Sequence, residues 1–274
     1  GKLNLKDNES YGIDRIFILE TNTEKISDFI TEVKQNLFVE YVKEVSTLKL
    51  ESFTPNDTYY ANQYYLNKTN VPQVWDSQQG GDALVGIIDS GMDFLHPDLQ
   101  QSYYINTGEF GNGKENNGID DDNDGFVDNW RGWNFVDNNN NPSDDNIFSH
   151  GTCVAGIISA GFNNGIGISS VTGGTKSLIM RCFNSQGIGY EDQIATAILY
   201  GVMHGVKVFN FSFGDYIYSE LLRDVVKYAY SKNVTIVCSA GNDNSSVLHY
   251  PSSFEEVISV AASDELDRKS TFSA

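Results

Sequence analysis

The sequence predicts an α/β fold built on a parallel sheet, and three observations carry that prediction. Short apolar, β-branched runs recur from residue 71 onward, each bounded by turn-forming residues. Segments with helical spacing lie between them. The runs are continuously apolar rather than alternating, as expected of strands buried on both faces of a sheet. With 274 residues, 40% apolar and 12% aromatic, the chain has the material for one large domain or two ordinary ones, which excludes wholesale disorder.

The elements follow in order. Residues 11–50 read as strand, helix, strand: Ile13 to Leu19 is an apolar extended run, and Glu24 to Asn36 places Ile26, Phe29, Ile30 and Val33 at helical spacing. Leu37 to Leu50 alternates raggedly and forms one or two strands. Glu51 to Tyr60, with Pro55, Asn56 and Asp57, reads as a linker. Beyond it the strands are ALVGII (83–88), SLIM (177–180), VKVFNFSF (206–213) and VTIVCSA (234–240), and the helices are Gly151 to Ala160, Tyr190 to His204 and Ser219 to Lys232. Residues 106–146 interrupt this rhythm with an insertion rich in Asn, Asp and Gly, too acidic to fold without counter-charge.

Eighteen Lys+Arg stand against 37 Asp+Glu, a net charge of −19. Phosphate binding needs clustered cations, so this balance argues against nucleic acid as a partner and against an anionic membrane surface. No apolar run is long enough to span a bilayer, and the first residues carry no signal-peptide pattern. Cys153, Cys182 and Cys238 are widely spaced and read as buried small apolar residues.

Ligands of parallel sheets bind beyond the carboxyl ends of the strands, and three polar groups fall there. Asp89 ends the run ALVGIID. His150 opens SHGTCVAGIISAG, a short helix of small residues. Asn242 follows the strand that ends in SAGN. Any one of these is unremarkable in a strand-ending turn or helix cap; three at one sheet edge point to chemistry.

The motifs DSGMDFLHPDL, HGTCVAG, NFSFG and SAGND, in this order, resemble those of the subtilisin-like serine proteases over roughly residues 55–274. The resemblance implies a three-layer, parallel-sheet α/β peptidase domain, incomplete at its C-terminus, preceded over residues 1–54 by a small α+β propeptide-like unit and linker. It implies that Asp89 is the triad acid, His150 the general base and Asn242 the side-chain donor to the oxyanion. Ser212, Phe213 and Gly214 would pair with an extended substrate, Gly187 and Gly189 would belong to the opposing strand, and Ser239, Ala240 and Gly241 would line the specificity pocket. The family's nucleophile serine is expected beyond residue 274, so these 274 residues alone are expected to be inactive; a peptide-binding, calcium-binding pseudoprotease is the alternative. Cys153, read as buried and therefore inert, is no substitute nucleophile. Ser149 stands where the family commonly has Gly, and Cys153 replaces a frequent second His.

Metal sites are also expected. In IDDDNDGFVDN, Asp120, Asp122, Asp124, the Phe126 carbonyl and Asp128 match the first nine positions of an EF-hand loop, although Arg131 takes the place of the bidentate Glu. Oxygen-only donors favour Ca²⁺. A second site is implied by resemblance alone: Asp98 and Asn164 with the carbonyls of Phe162, Ile166 and Ile168. The resulting expectation is a secreted or cell-envelope endopeptidase of bacterial type, with one or two structural calcium ions, a polypeptide substrate, and its own prodomain as intramolecular chaperone or inhibitor.

Overall fold

A computed structural model describes residues 15–20, 26–47 and 53–274. The chain divides into two compact units, Gly1–Glu51 and Ser52–Ala274.

In the first unit the expected helix is present as α1, Ile26–Lys34. Among the described residues the expected flanking strands are absent: residues 16–20 and 41–47 are irregular, residues 37–40 run through turns and a bend, and residues 13–14 and 48–50 lie outside the described residues. A strand needs a ladder partner, and the apolar side chains of Phe17 and Phe38 stand exposed instead of lining a paired sheet.

The second unit begins with two short helices, α2 (Tyr64–Lys68) and α3 (Val71–Trp75). A six-stranded sheet follows, formed by β1 (Val85–Asp89), β2 (Trp133–Asn134), β3 (Ser177–Arg181), β4 (Val208–Phe211), β5 (Thr235–Ser239) and β6 (Ile258–Val260). Its order is β2-β3-β1-β4-β5-β6, and every pairing is parallel. The helices α4 (His150–Ser159), α5 (Glu191–Met203) and α6 (Glu220–Ser231) are the crossovers that such pairing requires.

Because strand side chains alternate, the sheet sorts its residues between two cores. Ile88, Leu178, Met180, Phe209, Phe211 and Ile236 pack on one face with Ile194 and Ile198 of α5 and Val226 and Ala229 of α6. Val85, Ile87 and Ile179 pack on the other face with Ala155 of α4. Asp89 shares the parity of Val85 and Ile87, so it projects to the face on which α4 lies. On that face the half formed by β4, β5 and β6 is less covered among the described residues. Val208, Asn210 and Val237 are half-buried, Ile258 and Val260 are about half exposed, and a cavity of about 320 Å³ opens between Ile158, Val208 and Val237.

Candidate active site

β1 is buried along its whole length and delivers Asp89, itself 4% exposed, to the carboxyl edge of the sheet. One carboxylate oxygen of Asp89 accepts the Ser90 backbone N–H at 2.7 Å and lies 2.7 Å from Nδ1 of His150. His150 opens α4, and its half-exposed imidazole faces the cleft beyond the strand ends. Its pKa is raised, first by the hydrogen bond to Asp89 and then by the charges of Asp89 and Asp144, against an opposing effect of burial.

The start of α4 is held by residues distant in sequence. The Gly151 N–H donates to Ser90 Oγ at 2.9 Å, and Asp144 accepts from both Thr152 N–H and Thr152 Oγ1 at 3.0 and 2.6 Å. These contacts satisfy amides that a helix terminus leaves open, so the cap residue Ser149 has no side-chain capping bond. Ser149 sits at φ +50°, in the left-handed region, which accounts for glycine being common at this position in the subtilisin-like pattern. Gly151 allows the helix to approach the backbone of Gly91: a side-chain carbon there would overlap the Gly91 carbonyl oxygen.

One expectation is corrected here. Cys153 is exposed, because the face of α4 that carries it points away from the core that holds Ala155; Cys182 and Cys238 are buried as expected. Burial raises the Cys238 thiol to about 12, and burial with the neighbouring Asp89 charge raises Cys182 as well.

The cleft measures about 860 Å³. Asp89 and His150 lie on it together with Gly187 and Gly189 on one side and Ser212, Phe213 and Gly214 on the other. The Gly187 side is a turn closed by the Asn184 N–H to Ile188 carbonyl bond and the antiparallel bridge between Phe183 and Gly189. Ser239, Ala240 and Gly241 continue from the end of β5 but are not among the cleft-lining residues. Between them and Gly214 lies the buried imidazole of His249, which packs against Gly214 and Gly241. Asn242 is exposed, in a segment anchored by hydrogen bonds from Ala274 N–H to Gly241 and from Asn244 N–H to Phe272.

The acidic insertion assembles differently from the nine-residue pattern. Asp120 and Asp122 converge with Glu109, their carboxylate oxygens within 4.8 Å of one another. Glu109 is fully buried and accepts the backbone N–H groups of Asp121, Asp122 and Asp128; burial raises its pKa against those bonds. Asp124 turns to His204 Nε2 at 3.1 Å and to the Asn129 amide at 2.7 Å. Asp128 accepts the N–H groups of Asn117 and Gly118, and the Phe126 ring packs on Trp133 and Tyr200. Three converging carboxylates suit a hard divalent cation. Glu109, missed in sequence, lies eleven residues before Asp120 and outside the EF-hand-like spacing.

Around residues 162–169, the Asp98 carboxylate accepts from the Asn164 amide at 2.8 Å and from the Ile168 N–H at 2.9 Å. Phe162 packs at a tilt against Trp75, and Ile166 is exposed. The expected linker is part of this structure. Asp57, 5% exposed, accepts from the N–H groups of Asn163 and Asn164 and from Ser169 Oγ, which fastens the segment across the loop. Asp57 and Asp98 thus flank Asn164, whose side-chain nitrogen faces Asp98 while its oxygen accepts the Ile166 N–H.

The comparisons with known proteins agree with this arrangement. The family described as "Subtilase family" matches residues 80–274. The chain is 36% identical over 246 residues to the thermophilic serine proteinase of Bacillus sp. (strain AK1), covering 89% of this chain and 54% of that protein. It is 33% identical over 222 residues to thermitase of Thermoactinomyces vulgaris, covering 81% and 70%. It is 29% identical over 249 residues to halolysin of Haloferax mediterranei, covering 90% and 43%. The chain therefore spans about half the length of the first of these relatives. Among the described residues no helix is long and apolar enough to cross a membrane. A buried acid joined to a histidine at the carboxyl edge of a parallel sheet, found in a chain this similar to thermitase, places the protein in the subtilase family.

Proposed function

We propose that the chain is the larger part of the catalytic unit of a subtilisin-type serine endopeptidase. The observation that carries this reading is the 2.7 Å contact between the buried Asp89 and His150 at the mouth of a cleft flanked by two backbone segments. Asp89 holds the proton on Nδ1, which leaves Nε2 free to take the proton of an attacking serine and later return it to the leaving amine. Asn242 donates to the oxyanion of the tetrahedral intermediate. An extended peptide pairs with Ser212 to Gly214 on one side and Gly187 to Gly189 on the other, as in strand addition. Ser239 to Gly241 line the pocket for the side chain at the scissile bond.

The serine is supplied by a segment following residue 274. The less covered half of the sheet over β4, β5 and β6 supports this reading, since a parallel sheet is stable with both faces covered and an apolar helix would fill that space. Calcium would be held by Glu109, Asp120 and Asp122, and by Asp98 with Asn164, as a structural ion that neutralises the insertion. Residues 1–54 act as the prodomain, and the enzyme works outside the cytoplasm or in the cell envelope.

The test is the coding sequence beyond residue 274. It is expected to continue into a G-T-S motif that opens a helix, and the extended protein is expected to react covalently with a fluorophosphonate at that serine. An Ala or Gly at the position would overturn the enzyme and leave a peptide-binding module.

A further inference from the structure

The cleft carries two carboxylates that the proposed chemistry does not use. Glu191 is the first residue of α5, just beyond Gly187 to Gly189, and Asp215 directly follows Gly214. One acid therefore stands at the end of each backbone segment that flanks the cleft. Both are exposed, no Lys or Arg lines the cleft, and among the described residues neither acid forms a salt bridge. Arg181 and Arg223 are committed elsewhere, to Asp137 and Asp145 and to Glu256.

Both acids are set in place. Asp215 exchanges backbone hydrogen bonds with Tyr250 at 2.9 and 2.7 Å, and its Oδ1 accepts the Tyr216 N–H, leaving the second oxygen open. Glu191 lies in the first turn of the 13-residue helix α5. Ile194, Phe213, Ile217 and Leu222 line the same cleft. Apolar walls with carboxylates at the rim match a long cationic side chain, which lays its methylene stem on apolar surface and brings its charge to an acid. An acidic side chain would be repelled there.

The geometry points to a subsite for an Arg or Lys side chain of the peptide substrate, formed by Glu191 and Asp215; this rests on the cleft being the peptide groove proposed above. Binding by the 274-residue chain tests it without any need for a nucleophile. Fluorescent decapeptides of one neutral sequence carry a single arginine, moved through the central positions, or its uncharged isostere citrulline. At one position the arginine peptide is expected to bind about tenfold more tightly, and raised salt is expected to erase the difference. Glu191→Gln with Asp215→Asn should bring the two peptides within twofold, whereas Asp224→Asn with Glu265→Gln, an equal change of charge outside the cleft, should leave the preference intact. Equal binding of arginine and citrulline peptides at every position overturns the subsite alone. Loss of the preference in both double variants does the same, since it assigns the effect to overall charge. No binding by any peptide overturns the groove and the subsite together. Failure of the extended protein to react with fluorophosphonate leaves this measurement untouched.

Discussion

The Asp89–His150 pair sets the pH behaviour of the site through one hydrogen bond. Because Asp89 stabilises the imidazolium, the His150 pKa lies above the ordinary imidazole value of about 6.5. The sign follows directly: the stabilisation that His150 lends the fold is present below its unfolded pKa and is lost as pH rises through the folded value. Catalysis runs the other way, since the base must be neutral, so the acid limb of kcat/KM should track the raised value. An NMR titration of the 274-residue chain should find His150 titrating above the ordinary range, and Asp89→Asn should move it down; an unchanged midpoint would remove Asp89 as the cause. In the extended enzyme, Asn242→Ala should lower kcat by about 10²–10³ with little change in KM, the signature of a donor that acts on the oxyanion. Gly151 sets the first turn of α4 against the backbone of Gly91, just beyond β1, and Gly151→Ala should cost about 1–3 kcal/mol in urea unfolding, because backbone rather than a movable side chain blocks the added carbon.

At the scale of elements, the segment around Asp57 does more than connect. Its carboxylate accepts three backbone N–H groups and the Ser169 hydroxyl, partners 106 to 112 residues away in sequence. Asp57→Ala would leave the buried Ser169 hydroxyl and part-buried backbone donors without their partner and should destabilise the second unit by about 1–3 kcal/mol, read from the denaturation midpoint at unchanged m. Ser169→Ala, which removes one donor and leaves the Asp57 carboxylate with its backbone partners, should cost less. An equal effect of the two variants would show that the Ser169 hydroxyl alone fastens the segment. The same scale explains the missed Glu109: its three backbone donors are defined by the path of the insertion, and no spacing of acids along the chain encodes that path.

For the whole molecule, charge and core pull in opposite directions. The net charge is −19, and five carboxylates fall within the nine residues from Asp120 to Asp128. A cation bound only by the folded state stabilises it by about 2.7 kcal/mol at a hundred times Kd. The melting temperature should therefore rise in millimolar calcium and fall on chelation, and Glu109→Gln with Asp122→Asn should blunt the response. A melting curve indifferent to chelator would identify the insertion as a solvated acidic loop. The core is centred on the sheet face under α5 and α6, where Phe209 is fully buried; Phe209→Ala should cost about 3–5 kcal/mol.

Four of the six sheet strands, the three helices α4 to α6, and the positions of Asp89, His150 and Asn242 near strand ends and a helix start were legible because each depends on local pattern. By contrast β2, two residues inside the acidic insertion, and the exposed β6 carry too little apolar pattern to be read. A buried strand such as β1 announces itself in a run of consecutive apolar residues, and the residue that ends it must emerge at the sheet edge. What only the tertiary structure decided depends on partners far along the chain. The exposure of Cys153 turns on which face of α4 meets the sheet, and the absence of strands among the described residues of the first unit turns on whether a ladder partner exists. Glu109 meets Asp120 and Asp122, and Asp57 and Asp98 both accept from Asn164, through its backbone N–H and its side-chain amide, because the closed fold brings them together. Periodicity is a property of neighbours a few residues apart, whereas a carboxylate's partners are chosen by distance in space.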